Sequence, residues 1–209
     1  QAHEESTGAL LAALSDTPVD HLCYLSIVGS SPESDNACLA SKGRAEALCL
    51  AGTMPACVLR VPMVLGEGDY ASFALKKRAQ QALSFTFRAD SLEQPIYAGD
   101  VVSAIVAAGK AVVDGSLDLG GSEVLTRRAL TQRAGTVLDQ SPRLVSLPIS
   151  LGLAMASIME MLLPNPPVTA AMLDVLDHDD SIDPEPAMQV LGLSGLTSLD
   201  DTLTAVLTT

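Results

Sequence analysis

The chain has 209 residues, of which 48% are apolar and 18% are charged, so it is long enough and apolar enough to fold as a globular domain. Aromatic residues make up only 3% and Trp is absent, which favours helices packed on strands over an all-β sandwich. Twelve basic side chains stand against 25 acidic ones, and this net charge of -13 argues against nucleic acid as a partner.

The cysteine pattern indicates a reducing compartment. No spacing among the four cysteines matches a metal-binding motif, and a chain of this size does not need a disulfide framework. We therefore expect a cytoplasmic protein, in which Cys23 and Cys57, inside apolar runs, act as small buried apolar side chains. The cysteines are Cys23, Cys38, Cys49 and Cys57.

The longest weakly charged stretch, residues 146–163, contains Pro148 and Glu160. It falls short of the roughly 20 residues that a membrane span requires, so we expect no transmembrane segment. Core packing is the default expectation for this apolar helix, although contact with a partner or a membrane face is an alternative.

The first half of the chain alternates between helical and extended patterns. Residues 5–15 and 37–50 have helical periodicity, and the apolar runs 21–28 and 56–62 have the character of buried strands. A strand, a helix and a second strand at this spacing predict a right-handed crossover and hence a parallel sheet.

The middle of the chain continues this alternation. A helix is predicted over 71–82, and Asp100 is placed at the N-cap of another over 101–113, with Gly115 closing it. Short strands are predicted at 84–87, 94–98 and 116–119.

Beyond Thr126 the pattern is mostly helical. Helices are predicted over 126–138, 149–163 and 169–176, with two more between 187 and 207 and an extended piece at 144–147. We therefore divide the chain into an α/β layer, residues 1–120, and a mostly helical cap, residues 121–209.

Five strings in order along the chain resemble the atypical and extended short-chain dehydrogenase/reductases, a group related to NAD-dependent epimerases and dehydratases. The resemblance is nearest to the branch that contains the dehydrogenase-like accessory subunit of respiratory complex I. The strings are LSIVGSS (25–31), SKGRAE (41–46), LRVPMVLGEGD (59–69), QPIYAGDVVSAI (94–105) and LDLGGSEVLT (117–126).

The resemblance implies a Rossmann-type doubly wound parallel sheet with a helical C-terminal cap over the substrate. Residue 1 would fall near the fourth helix of that layer. The chain would then supply the later strands and the cap, without the N-terminal strands. We expect an open sheet edge, covered by a protein partner or by the N-terminal half of the fold.

The family's catalytic residues are a strand-end serine and a Tyr-x-x-x-Lys pair. By the resemblance, Ser26 or Ser30 fits the serine, Lys42 fits the lysine, and Cys38 stands where the tyrosine is expected. A lysine one turn after a tyrosine lies on the same helix face and lowers the tyrosine pKa. A thiol is a weaker hydrogen-bond donor than a phenol, so we expect Cys38 to replace the tyrosine poorly in proton transfer.

The resemblance also implies NAD or NADP as cofactor. Lys42 would contact the ribose, and Pro62, Met63 and Val64 would line the nicotinamide side. The alternative for Lys42 is a solvated helix lysine that pairs with Glu46 at i,i+4. These 209 residues contain no glycine-rich phosphate loop.

Three functional hypotheses follow. The first is an NAD(P)-binding atypical family member with weak or unconventional oxidoreductase or epimerase activity on an unknown small molecule. The second is a non-catalytic structural or assembly subunit, and the third is a fragment of an active enzyme. We expect no metal site, because the carboxylates around His178 lack a calcium-loop spacing and suit a solvated loop.

Overall fold

A computed structural model describes residues 2–15, 17–163 and 179–208. Within them the chain forms an α/β fold with parallel strand pairing, and the predicted helix 169–176 and His178 lie outside the described residues. The helices are α1 (Ala2–Leu14), α2 (Ala37–Leu50), α3 (Tyr70–Ala79), α4 (Ala98–Ala111), α5 (Arg127–Val137), α6 (Ile149–Leu162), α7 (Glu185–Leu191) and α8 (Leu199–Leu207).

The sheet is built from β1, β2 and β7, which pair in parallel in that order. The predicted strand, helix and strand of the first half are confirmed, and β1 forms one edge of this sheet. The strands are β1 (Leu22–Ile27), β2 (Ala56–Val61), β3 (Val64–Leu65), β4 (Leu83–Phe87), β5 (Leu92–Glu93), β6 (Ile96–Tyr97), β7 (Gly115–Asp118), β8 (Leu125–Thr126) and β9 (Arg143–Leu147).

Three further pairings complete the strand structure of the described residues. β3 pairs with β6 and β4 with β9, both in parallel, while β5 and β8 pair antiparallel. The β5–β8 pair was not predicted from the sequence, because strands of two residues carry no periodicity.

Side-chain caps explain where several of the helices begin. Asn36 accepts hydrogen bonds from the backbone N–H groups of Cys38 and Leu39 at the start of α2. Thr126 accepts one from the N–H of Ala129 at the start of α5, which confirms the predicted capped helix.

The predicted limits of α4 are wrong at both ends. Tyr97 is the N-cap, so Asp100 lies in the first turn, where its carboxylate accepts hydrogen bonds from the N–H and the hydroxyl of Thr197. The helix ends at Ala111 with Val112 in the left-handed conformation, and Gly115 instead begins β7. Asp100 therefore ties the tail of the chain to α4.

Two apolar clusters form the core. The first joins β2 and α4 to α7, through residues such as Leu59, Ala104 and Met188. The second joins α3 and α5 to α8, through residues such as Leu75 and Leu203. The tail therefore packs into both clusters, and the division at residue 120 stays a prediction.

The expectation that the apolar helix α6 packs in the core is wrong. Only Gly152 and Ala156 are buried in it, and Met161 is 79% exposed. Met155 and Ile158 are also exposed, so α6 presents an apolar surface. Among the described residues, no helix is both long and apolar enough to cross a membrane.

An ion pair joins α2 to the sheet. Arg60 on β2 donates from Nη2 to Glu46 Oε2 at 2.6 Å and from Nε to the same oxygen at 3.0 Å, and the Glu46 side chain is only 3% exposed. This bonding to Glu46 raises the pKa of the Arg60 guanidinium. Glu46 is therefore the carboxylate partner of the partly buried Arg60 guanidinium.

Replacing Arg60 by Ala leaves the buried carboxylate of Glu46 without its partner. We expect the Arg60→Ala variant to lose about 3–5 kcal/mol of unfolding free energy. The matched control is Arg44→Ala, which removes the half-exposed pair of Arg44 with Glu4 and is expected to cost about 0–1 kcal/mol. Urea denaturation measures both, and equal losses would contradict the role assigned to Arg60.

Candidate functional site

A cavity lies where the first two strands end. It has a volume of about 270 Å³ and is open to solvent on one side. In parallel sheets, ligands bind in the crevice outside the carboxyl ends of the strands, so this is the leading candidate site. We call it the strand-end cavity, and its apolar wall is formed by Ile27, Val28, Leu39, Val61, Pro62 and Met63.

A larger pocket of about 500 Å³ lies at the other end of the sheet. It is lined by residues that precede β1 and β2, including Asp20, Met54 and Pro55. Ligands of doubly wound folds do not bind at the amino ends of the strands, so we do not assign it a function.

The polar side of the strand-end cavity contains a buried ion pair. Glu93 and Arg127 both line the cavity, and each side chain is 6% exposed. Arg127 donates from Nε to Glu93 Oε1 at 2.5 Å and from Nη1 to the carbonyl of Phe87, also at 2.5 Å. These bonds hold a charged pair against a space whose wall is mostly apolar.

The second carboxylate oxygen of Glu93 has no hydrogen-bond partner among the described residues. This Oε2 atom is buried. Arg78 lies near this pair, and its burial lowers the pKa of its guanidinium. The negative charge of Glu93 raises that pKa, and the positive charge of Arg127 lowers it further. Leaving a buried acceptor unpaired costs about 1–3 kcal/mol, so Glu93 Oε2 needs an explanation.

The neighbouring residue Gln94, unlike Glu93, has hydrogen bonds to both polar atoms of its side chain. Its amide nitrogen donates to the carbonyls of Gly121 and Ile182 at 2.8 and 2.9 Å, and its Oε1 accepts from the N–H of Ile182 at 2.7 Å. Gln94 is therefore a structural residue with no polar atom left over, in contrast to Glu93.

Two of the predicted cofactor residues reach the cavity and a third does not. Pro62 and Met63 form part of its apolar wall, directly after β2. Val64 begins β3 and packs beside the first apolar cluster. Ser26 is buried in β1 and donates to the Ser30 hydroxyl at 3.3 Å, so the two candidate serines are neighbours.

Cys38 and Lys42 lie on α2, beside the cavity and not in its wall. Cys38 is half-buried in the first turn, and the next residue, Leu39, reaches the cavity. The Lys42 ammonium lies 5.9 Å from the centre of the Tyr24 ring, over β1. Burial is the main cause that raises the pKa of Tyr24.

The residues present fit one end of a dinucleotide. The apolar wall of Pro62 and Met63 suits a flat nicotinamide ring, and the Lys42 ammonium lies over Tyr24 in the middle of β1, outside the cavity wall. The pyrophosphate end differs, because no glycine-rich turn that would let it approach a helix N-terminus occurs within these 209 residues.

Glu93 and Arg127 were missed by the sequence reasoning. Glu93 lies in a two-residue strand and Arg127 is the first of two arginines after a helix cap, so neither position stands out in the pattern. A single charged residue beside a predicted strand does not by itself indicate a binding site. The two side chains are 34 positions apart in the sequence, and the fold brings them together.

Among the described residues, no group of His, Cys, Asp or Glu could hold a metal ion. No known family profile matches the chain.

The fold is of the Rossmann type, and it is similar to the folds of solved epimerases that contain NAD. The structure is similar to that of gox2253, with a TM-score of 0.74, 20% identity and coverage of 99% of this chain and 71% of that one. RMD from Pseudomonas aeruginosa, solved with NADPH, gives a TM-score of 0.69 at 15% identity, covering 99% and 71% of the two chains.

The epimerase likeness is equally clear. UDP-glucuronic acid 4-epimerase from Bacillus cereus, solved with UDP-glucuronic acid and NAD, gives a TM-score of 0.71 at 18% identity, covering 99% of this chain and 66% of that one. At these identities the likeness shows the fold, and the predicted α/β Rossmann-type class is confirmed.

A curated relative points to one branch. The chain is 32% identical over 142 residues to the Arabidopsis thaliana protein "NADH dehydrogenase [ubiquinone] 1 alpha subcomplex subunit 9, mitochondrial". The match covers 64% of this chain and 34% of the relative, so it spans about a third of that protein's length. The predicted resemblance to atypical short-chain dehydrogenase/reductases near the complex I branch is confirmed.

Proposed function

We propose that the chain forms the nicotinamide and substrate end of an NAD(P)-binding site, with weak or unconventional oxidoreductase or epimerase chemistry on a small molecule. The observation that carries this proposal is the strand-end cavity at the carboxyl ends of β1 and β2. Structural neighbours solved with NADPH and with NAD support the cofactor class.

The bound dinucleotide would supply hydride transfer, and the protein's own residues would bind and orient it. Pro62 and Met63 would cover one face of the nicotinamide ring, which keeps water from it. Lys42 would hydrogen-bond the ribose from α2, and this helix is held to the sheet by the pair of Glu46 with Arg60.

Proton transfer is the weak part of the proposed site. Cys38 and Ser26 are the candidate groups, but a thiol donates a hydrogen bond poorly, and the Ser26 hydroxyl is buried and already donates to Ser30. Any activity is therefore expected to be low, since a positioned acid or base contributes about 10²–10⁴-fold to such reactions.

Lys42 provides the test of dinucleotide binding. We expect saturable binding of NADH to the chain, followed by nicotinamide fluorescence, and a loss of affinity of roughly tenfold in Lys42→Met, because a charged hydrogen bond to the ribose is lost. Lys77→Met, at an exposed position on α3, is the control and should bind like the wild type. No binding at millimolar NADH would contradict the proposal for this chain.

Cys38 provides the test of the chemistry. We expect Cys38→Tyr to raise NADH-dependent reduction of small ketones by roughly 100-fold over Cys38→Phe, because the two rings differ only in the hydroxyl that gives up the proton. Equal rates in both variants, with NADH binding retained, would show that the scaffold has no catalytic role.

A second candidate is a structural or assembly subunit, which the apolar surface of α6 specifically favours. Five large apolar side chains of this helix are 46–79% exposed, an arrangement typical of protein contacts. The relative is by name a subunit of a multi-subunit NADH dehydrogenase. The exposed side chains are Leu151, Met155, Ile158, Met161 and Leu162.

The α6 surface can be tested with a charge. We expect tagged wild-type chain to migrate with the NADH dehydrogenase complex on native gels of cells that express it, and Ile158→Glu to release it, because a buried unpaired carboxylate is costly. Ser157→Glu places the same charge at an exposed polar position and should have no effect. Migration of the wild type at its own mass would contradict this second function.

A further inference from the structure

Two cysteines face each other across neighbouring strands of the sheet. Cys23 on β1 is the register partner of Cys57 on β2, and both are free thiols. Neighbouring strands lie about 4.7–4.9 Å apart, and a disulfide needs Cα atoms roughly 4.4–6.8 Å apart. The strand spacing therefore places this pair within the range of a disulfide.

Both thiols lie on the same face of the sheet. Cys57 belongs to the first apolar cluster, and Cys23 packs against that cluster. The next residue of each strand, Tyr24 or Val58, packs in a separate cluster, as the alternation of side chains along a strand requires. The two thiols also share a hydrogen bond, so joining them requires no change of strand register.

The fold keeps the other two cysteines away from this pair. Cys49 on α2 packs in the cluster on the opposite face of the sheet. Cys38 lies in the first turn of α2, and the adjacent Leu39 reaches the cavity at the ends of the strands, whereas Cys23 lies near the start of β1. Within one chain, the fold therefore favours a single pairing.

The two thiols differ in exposure and in acidity. Cys57 is fully buried as expected, but Cys23 on the edge strand is only half-buried, so the expectation of a buried side chain is wrong for Cys23. The hydrogen bond from Cys57 lowers the pKa of the Cys23 thiol, although burial opposes this, and the same bond raises the pKa of Cys57. Because the thiolate is the form that oxidants attack, Cys23 is the group that reacts first.

We propose that Cys23 and Cys57 form a reversible oxidation site, at which a hydroperoxide converts the two thiols into a disulfide that ties the edge strand β1 to β2. The site lies away from the strand-end cavity and does not depend on the proposed binding of a dinucleotide.

The chemistry has two steps. The Cys23 thiolate attacks one oxygen of hydrogen peroxide, the O–O bond breaks, and the products are a sulfenic acid and, after proton uptake, water. The Cys57 sulfur then attacks the Cys23 sulfur, the S–O bond breaks, and the departing hydroxide leaves as water with the Cys57 proton. The two thiols lose two electrons and two protons, and the peroxide is reduced to two molecules of water.

The test treats the folded wild-type chain with a small excess of hydrogen peroxide, then denatures it, alkylates it with iodoacetamide and measures its intact mass. We expect the loss of two hydrogen atoms and the uptake of two alkyl groups, against four for the untreated chain with its four cysteines. Dithiothreitol should restore all four sites. Four alkyl groups after peroxide, or a gain of oxygen without loss of hydrogen, would overturn the proposal.

Peptide mapping of the oxidised wild type then locates the bond. Cleavage before aspartate and after methionine places Cys23 in residues 20–34 and Cys57 in residues 55–63, while Cys38 and Cys49 share residues 35–54. We expect peptide 20–34 to be linked to peptide 55–63. A bond from either of these peptides to 35–54, or between two chains, would contradict the assignment.

Variants give an independent check. Cys49→Ala removes a buried thiol on the opposite face of the sheet and should leave the disulfide intact, whereas Cys23→Ala should abolish the loss of two hydrogen atoms within one chain. The same loss in Cys23→Ala would overturn the proposal. The mapping of the wild type stands even if a variant fails to fold. Failure of NADH to bind would overturn only the proposed function.

Discussion

The ion pair of Arg60 with Glu46 is the contact on which the candidate site depends. Arg60 projects from β2, bonds a nearly buried carboxylate on α2, and lies 3.6 Å from Asp118 on β7. One guanidinium thus joins the helix that carries Cys38 and Lys42 to two neighbouring strands. Without it, a buried carboxylate would force α2 away from the sheet, and the wall of the strand-end cavity at Leu39 would move with it.

Close packing reinforces this constraint. A Cβ atom on Gly43 would overlap the backbone of Ser31 and lie 2.5 Å from the nitrogen of Pro32, so only glycine allows α2 to pass the loop after β1. The string SKGRAE therefore combines a packing glycine and a buried glutamate with the lysine assigned to the cofactor. Two of the residues that carry the resemblance, Gly43 and Glu46, therefore hold α2 against the sheet. Their presence does not depend on catalytic activity.

Much of the fold follows from the sequence, and less of the site does. The strands β1 and β2 were predictable from their apolar runs, and the helices α2 and α5 from their helical periodicity. The limits of α4 were not, because Asp100 bonds Thr197, almost 100 residues away. The exposure of α6 was missed because an apolar period does not reveal whether anything covers it. Glu93 and Arg127 come together through the β5–β8 pair and through the backbone hydrogen bond from Arg127 to Ser91.

In the proposed function, the site is the nicotinamide end of a Rossmann-type fold, in which the binding walls are retained and proton transfer is weakened. The walls that would hold a nicotinamide ring and a small ligand are in place, while a thiol stands at the position of the expected phenol. The same chain has an apolar helix on its surface, suited to a partner. A binding or assembly role and low-level catalysis are therefore compatible in one structure.

The most direct measurement is NMR of the chain carrying ¹³C-methyl methionine, titrated with NADH. Met63 lines the strand-end cavity, Met54 lines the pocket at the opposite end of the sheet, and Met161 lies exposed on α6. The account predicts a saturable shift of the Met63 methyl signal, with Met54 and Met161 unchanged. A shift confined to Met54, or an unchanged Met63 at millimolar NADH, would contradict it.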